Sequence, residues 1–201
     1  TNFLTRIGQD EHAQKILDFL KKNTMSLDFI QNDNHHHTGL VDIEMKPNHS
    51  HTFHILPDRA YDYIEYPYKS IEAPSFKPEL IYFGTLAQRE AQTQKTIYEI
   101  LNVKKSSSLV FLDINLRAPF FNKEVIQKSL TYCDILKINN EELVEWQAMN
   151  PNLPKDETAC ISKIMQNYKI NTACLTKGAQ GSRLFYQGKV FEKKLGTNLK
   201  V

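Results

Sequence analysis

The chain has 201 residues, 41% hydrophobic and 24% charged, enough apolar material for one full core and a balance typical of globular domains. Its 25 basic and 23 acidic residues leave a net charge of +2 with no long run of one sign, so neither nucleic acid nor an anionic membrane is expected as a partner. Three cysteines, Cys133, Cys160 and Cys174, form no CxxC pair, which argues against a disulfide framework or zinc site and points to a reducing, cytoplasmic setting.

In chain order, Phe3 to Gly8 reads as a short strand closed by glycine. A helix follows, with Asp10 and Glu11 in its first turn, Lys21 and Lys22 in its last, and Ala13, Ile16, Leu17 and Leu20 on one face. Leu40 to Met45 alternates apolar and acidic residues from Val41, as a half-buried antiparallel strand does. Lys46-Pro47-Asn48 turns it into a return strand, His51 to Leu56. Pro67, Pro74 and Pro78 mark a connector, Leu80 to Gly84 another strand, and a helix then runs through Ile97, Ile100 and Leu101.

The central stretch is Leu109 to Glu142. Leu109 to Leu112 is short and apolar, as in a strand buried on both faces, and Asp113, Asn115 and Arg117 crowd its end before Pro119. A helix bearing Val125, Ile126, Leu130 and Cys133 leads to a second buried strand, Ile135 to Ile138, and then to a helix opened by Asn139-Asn140-Glu141-Glu142. This β-α-β-α unit places polar groups at the carboxyl ends of both strands, where open parallel sheets bind ligands. A further helix has Ile161, Ile164, Met165 and Tyr168 on one face. Thr172 to Thr176 is a buried strand, Lys177 to Gly181 a tight loop, and two strands flank the Gln187-Gly188 turn.

Several residues could carry chemistry, each with a plainer alternative. Asn139 and Glu142, three apart, suit a hydrated magnesium–phosphate cluster, although taken alone such a pair is more often a capped, solvated helix start. Two glycines three apart, Gly178 and Gly181, could bring backbone amides to an anion or could simply form a turn. Arg117 offers five donors to hydroxyls or phosphate, or could pair with Asp113 or a neighbouring carboxylate. Asp113 is read as structural. All seven histidines lie in the first 54 residues, but their spacing fits no zinc pattern, so polar surface residues are expected.

These segments resemble the ribokinase-like (PfkB) carbohydrate kinases, most closely the fructokinase branch. The resemblance is carried by RIGQDEHA, Thr38-Gly39, Ala60-Tyr61-Asp62 (with Tyr61 in place of a tryptophan), FGTLAQR from Phe83 to Arg89, DINLR, KINNEE and Thr176 to Gly181. It implies a three-layer α/β/α fold with a mainly parallel sheet. Residues 1–201 would form one partial domain, with 38–72 contributing to a small β lid over the sugar. It further implies an ATP-dependent sugar kinase using Mg2+ and a monovalent cation such as K+. Asn139, Thr176, Lys177, Gly178, Ala179 and Gly181 would hold nucleotide, and Glu142 would act on magnesium through water. Asn115, Arg117 and the lid residues Phe53 and His54 would face the sugar, and the lid could pair two subunits in a homodimer.

The family's glycine-alanine-glycine-aspartate motif, which carries the catalytic base, does not occur in the chain and is expected just after Val201. The chain opens on Thr1 rather than Met and stops after a strand-like stretch, so it reads as an internal piece, inactive alone. The alternatives are a kinase for another sugar, sugar acid or nucleoside, or a non-catalytic sugar- or nucleotide-binding relative.

Overall fold

A computed structural model describes residues 1–45, 51–67, 78–104 and 106–194. The expected Lys46-Pro47-Asn48 turn, His49, Pro74 and the last residues of the 38–72 segment lie outside them. The chain divides into two compact units, Thr1–Phe76 with Ala87–Val103, and Lys77–Leu86 with Lys104–Val201.

The first unit begins with a β-α-β element. Strand β1 (Thr5–Ile7) pairs in parallel with β2 (Ile30–Asn32), and helix α1 (Glu11–Lys22) lies between them in sequence. Asp10 is the N-cap of α1 rather than part of its first turn, its carboxylate accepting the Ala13 N–H at 2.9 Å. Ala13 and Leu20 are buried, as their spacing predicts, whereas Ile16 and Leu17 are only half-buried.

Strands β3 (Val41–Met45) and β4 (His51–Ile55) form an antiparallel hairpin with Ile43 opposite Phe53 and Asp42 opposite His54. The alternation in β3 is real, but every one of its residues is exposed, contrary to the half-buried expectation. The physical reason is that a two-stranded ribbon has no second layer of its own to bury its apolar side. A 3-10 turn, Ala60–Tyr63, then meets helix α2 (Ala91–Val103). Two buried threonines of α2 satisfy that segment's backbone: Thr93 Oγ1 accepts from Ile64 N at 2.8 Å, and Thr96 Oγ1 donates to Ile64 O at 2.7 Å.

The second unit is a six-stranded sheet in the order β10-β9-β8-β7-β6-β5. Strands β5 (Leu80–Gly84), β6 (Leu109–Asp113), β7 (Ile135–Asn139) and β8 (Thr172–Thr176) run parallel. Strands β9 (Ser182–Tyr186) and β10 (Lys189–Lys193) add an antiparallel margin. Helices α3 (Lys123–Leu130), α4 (Asn140–Met149) and α5 (Glu157–Tyr168) are capped at their starts by Asn122, Asn139 and Asp156.

Val110, Leu112, Leu136, Ile138, Ala173, Leu175 and Phe185 alternate onto one sheet face and are buried with Ile126, Leu130, Leu143, Trp146, Cys160, Ile161 and Ile164 of the helices. On the opposite face Leu80, Tyr82, Leu109, Leu184, Tyr186 and Phe191 are exposed. The expectation that Leu109 to Leu112 is buried on both faces therefore fails at Leu109, which is 47% exposed. An apolar run in a strand reports two faces at once, and here only one carries the core.

Candidate active site

In the second unit, three segments meet the carboxyl edge of the parallel sheet, because parallel strands all end on the same side. Gly84, at the end of β5, pairs with Asp113 at the end of β6, Asp113 with Lys137 of β7, and Asn139 with Thr176 of β8. Gly84 is required there: a Cβ would lie 2.8 Å from the Asp113 carbonyl oxygen.

Asp113 closes β6. Its Oδ2 accepts from Lys137 Nζ at 2.7 Å and from the Tyr82 hydroxyl at 3.0 Å, while its buried Oδ1 has no partner among the described residues. The partner of Asp113 is thus Lys137 and not Arg117. Arg117 is exposed and makes no ion pair among the described residues, so its guanidinium is available for a ligand. Asn115, two residues earlier, takes the left-handed conformation at φ 48°, which asparagine tolerates better than most residues.

Asn139 and Glu142 build a capping box at the start of α4. The Asn139 side chain accepts the Glu142 N–H at 2.8 Å, and Glu142 Oε2 accepts the Asn139 N–H at 2.8 Å. Glu142 Oε1 reaches across to accept the Leu116 N–H at 3.0 Å. The helix start is capped, as the plainer reading held, and Asn140 and Glu141 are exposed, but the Glu142 side chain itself is not solvated: the residue is only 6% exposed. One buried carboxylate therefore ties the Asp113–Arg117 loop to the first turn of α4. Each of its oxygens keeps a lone pair, a donor set that suits a hydrated cation approached through water.

The loop after β8 is closed at its base, where Lys177 N donates to Gly181 O at 2.8 Å, and a 3-10 turn covers Gly178–Gln180. The Gly178 and Ala179 amides find no acceptor among the described residues, and both residues are exposed. A Cβ on Gly178 would meet nothing within 4 Å. Gly181 is different: its φ is 98°, and a Cβ would strike the Lys193 carbonyl. Free adjacent amides over an open loop can receive an anion, which is the chemistry this geometry allows.

Phe53 and His54 belong to the first unit and point to opposite sides of the hairpin. Phe53 is 59% exposed, and His54 Nε2 lies 3.1 Å from Glu44 Oε2. The first unit also holds groups that sequence reasoning missed. Buried Asp33 accepts the N–H groups of His35 and His36 at 2.7 and 2.8 Å and the Arg6 Nε at 2.6 Å. Burial would raise its carboxyl, but these donors outweigh burial and hold it well below the usual range. Asp10 is held at about 2 in the same way, burial being overcome by the Thr38 and Ala13 N–H groups. Arg89 forms two bonds to Asp62, 2.7 and 2.6 Å, with both side chains buried. Its guanidinium lies 4.8 Å from the Tyr61 ring. Among the described residues no group of three or more His, Cys, Asp or Glu side chains could hold a metal, and no helix is long and apolar enough to cross a membrane.

Residues 1–195 match the pfkB family of carbohydrate kinases, and the chain belongs to that family. Among curated proteins it is similar to a fructokinase of Escherichia coli, 22% identical over 94% of this chain and 62% of that protein. A sugar kinase of Pyrococcus horikoshii is 23% identical over 72% of this chain and 48% of its own length. Its fold resembles that of the fructokinase of Xylella fastidiosa, with TM-score 0.80 and 16% identity over 95% of this chain and 59% of that one. Aminoimidazole riboside kinase of Salmonella enterica, solved with aminoimidazole riboside and an ATP analogue, gives TM-score 0.76 at 16% identity, covering all of this chain and 64% of that one. The chain thus spans about half to two thirds of the length of these relatives.

Proposed function

We propose that the complete protein is a cytoplasmic sugar kinase that transfers the γ-phosphoryl group of ATP to a sugar hydroxyl, with fructose as the first acceptor to test. The observation that carries this reading is the convergence of Asn115–Arg117, Asn139–Glu142 and Thr176–Gly181 on one sheet edge, joined by the Glu142–Leu116 bond. In this reading the Gly178 and Ala179 amides, with Thr176, Lys177 and Gly181, cradle the nucleotide phosphates, and Asn139 contributes from the neighbouring strand end. Glu142 holds a hydrated magnesium ion, which supplies charge neutralisation to the phosphates; such transfer depends mostly on positioning and electrostatics. Arg117 and Asn115 face the sugar, and Phe53 or His54 contacts it from the lid. No residue of 1–201 is assigned as the general base.

Related structures were solved with fructose, ADP and potassium in a Vibrio cholerae fructokinase and with ATP in the Xylella fastidiosa enzyme, which favours the same ligand classes here. The apolar row Val41, Ile43, Met45 and Phe53 on the exposed hairpin favours a homodimer paired through the lid. The experiment is ADP release by the complete gene product with ATP, magnesium and a sugar panel headed by fructose. Release with fructose alone supports the reading in full, and release with another sugar keeps the chemistry but changes the acceptor. Folded protein that binds ATP yet releases no ADP with any sugar would overturn it in favour of a non-catalytic relative.

A further inference from the structure

The nucleotide-loop candidate is held by a side chain that lies twenty residues away from it and belongs to no motif. Glu157 sits in the first turn of α5, and its Oε2 accepts from Lys177 Nζ at 2.7 Å and from Arg183 Nη1 at 3.2 Å. Those two cations flank the loop, one on the residue that leaves β8 and the other on β9. Arg183 Nε reaches on to Glu192 of β10 at 3.1 Å. Lys177 is only 15% exposed and Arg183 26%, so both are withdrawn from bulk water into this network.

We infer that Glu157 is a positioning residue for the Thr176–Gly181 loop. One carboxylate oxygen pins both arms of the loop to the start of α5, and the same charge neutralises the two cations beside it. Two consequences follow from the chemistry. The backbone closure between Lys177 and Gly181 gains a side-chain counterpart, so the Gly178 and Ala179 amides are held ready rather than ordered at the moment of binding. With the Lys177 and Arg183 side chains already paired to carboxylates, the loop meets an anion through its backbone, the Gly178 and Ala179 amides foremost. This inference rests on the reading of the loop as the nucleotide site.

The test is a double-mutant cycle in the complete gene product, read as the Kd for ATP by calorimetry with kcat and both KM values alongside. Glu157→Ala should weaken ATP binding about tenfold, by loss of preorganisation, while kcat and the sugar KM stay within about twofold. Lys177→Met should weaken ATP binding to a similar extent, and the double variant should be no weaker than the worse single, because both remove the same tie. Glu157→Gln keeps the reach and an acceptor oxygen, so it should recover most of the affinity. Glu157→Leu, which keeps the volume but no acceptor, replaces the alanine variant if that does not fold, with the same expected loss.

Unchanged ATP affinity in both Glu157 variants, or effects of Glu157→Ala and Lys177→Met that multiply, would overturn the inference. The second result would mean that Lys177 acts on the nucleotide independently. Gly178→Asp separates this failure from failure of the loop reading, since it meets open space at a φ of 52°, which aspartate tolerates better than most residues, and sets a negative charge beside the amides. If Gly178→Asp abolishes ATP binding and Glu157→Ala does not affect it, only the role of Glu157 is lost. If neither variant affects ATP binding, the loop is not the nucleotide site.

Discussion

Removing Asp62 should be among the most damaging single substitutions in the first unit. Its carboxylate receives two bonds from Arg89, at 2.7 and 2.6 Å, and the Arg59 N–H at 2.9 Å. Its side chain is fully buried, and that of Arg89 is 3% exposed. Arg89 also donates to the Leu56 carbonyl at 2.8 Å, so it cannot swing out to water without breaking a second tie. Asp62→Ala would strand a buried guanidinium, and breaking such a pair costs about 3–5 kcal/mol, a large part of the stability of an ordinary domain.

The assay is urea denaturation of the complete gene product, with Asp62→Ala, Arg89→Met and the double Asp62→Leu/Arg89→Met compared with the parent. Each single should lose about 3 kcal/mol or more, and the double should recover part of that loss because neither charge is left alone. Singles within about 1 kcal/mol of the parent would refute the reasoning, as would a double no better than the worse single. The outcome bears on function too. Asp62 and Arg89 come from two of the strings that resemble fructokinases, and the structure uses them to join the 3-10 turn to the start of α2. Arg89→Lys should therefore lower stability while leaving the ranking of sugars by kcat/KM unchanged.

Acid should weaken the first unit through Asp10 and Asp33. Both carboxyls lie below their ordinary value of 3.8 when folded, so their contribution is fully present above about pH 4 and is lost as pH falls toward 2, and Asp10→Asn should flatten stability across that window in acid titrations followed by circular dichroism. Arg117→Ala should leave stability within about 0.5 kcal/mol and raise the sugar KM more than the ATP KM; the opposite ordering in steady-state kinetics would contradict its placement beside the sugar. Gly181→Ala should cost about 3 kcal/mol or more because the new methyl meets the Lys193 carbonyl at a positive φ, whereas Gly178→Ala, also at a positive φ (52°) but facing open space, carries the backbone strain alone and should cost about 1 kcal/mol, and equal losses in thermal unfolding would refute the distinction.

The parallel strands of the second unit were legible because each is a short apolar run with a polar stop, and Thr172–Thr176 and Ile135–Asn139 fall where those runs lie; Ile30–Asn32 was not, because Ile-Gln-Asn in a polar stretch carries no such pattern. Helix starts were less so: Asp10 looked like a first-turn acid, when its side chain in fact accepts the Ala13 N–H from the cap position. What sequence could not show was pairing at a distance. Arg6 and Asp33 are 27 residues apart, as are Arg89 and Asp62, and nothing local marks either pair. The exposure of β3 was hidden for a related reason. Alternation tells which side chains share a face and is silent on whether anything covers that face.

The position of Glu142 shows why motif and scaffold are hard to separate here. Its carboxylate caps α4 through Asn139 and at the same time holds the Leu116 amide, so it fixes two neighbouring loops of the sheet edge relative to each other. A glutamate bound only to a metal could be replaced with loss of the metal alone. This one cannot, because an amide in its place offers one acceptor oxygen to two backbone donors that face it from opposite sides. The second donor would then be left buried beside an NH2 group, a loss that acts on stability before it acts on turnover. The box that orients Glu142 also presents its remaining lone pairs in a fixed direction. Capping at this edge and the proposed ligand role of Glu142 would follow from one arrangement and do not compete as explanations of it.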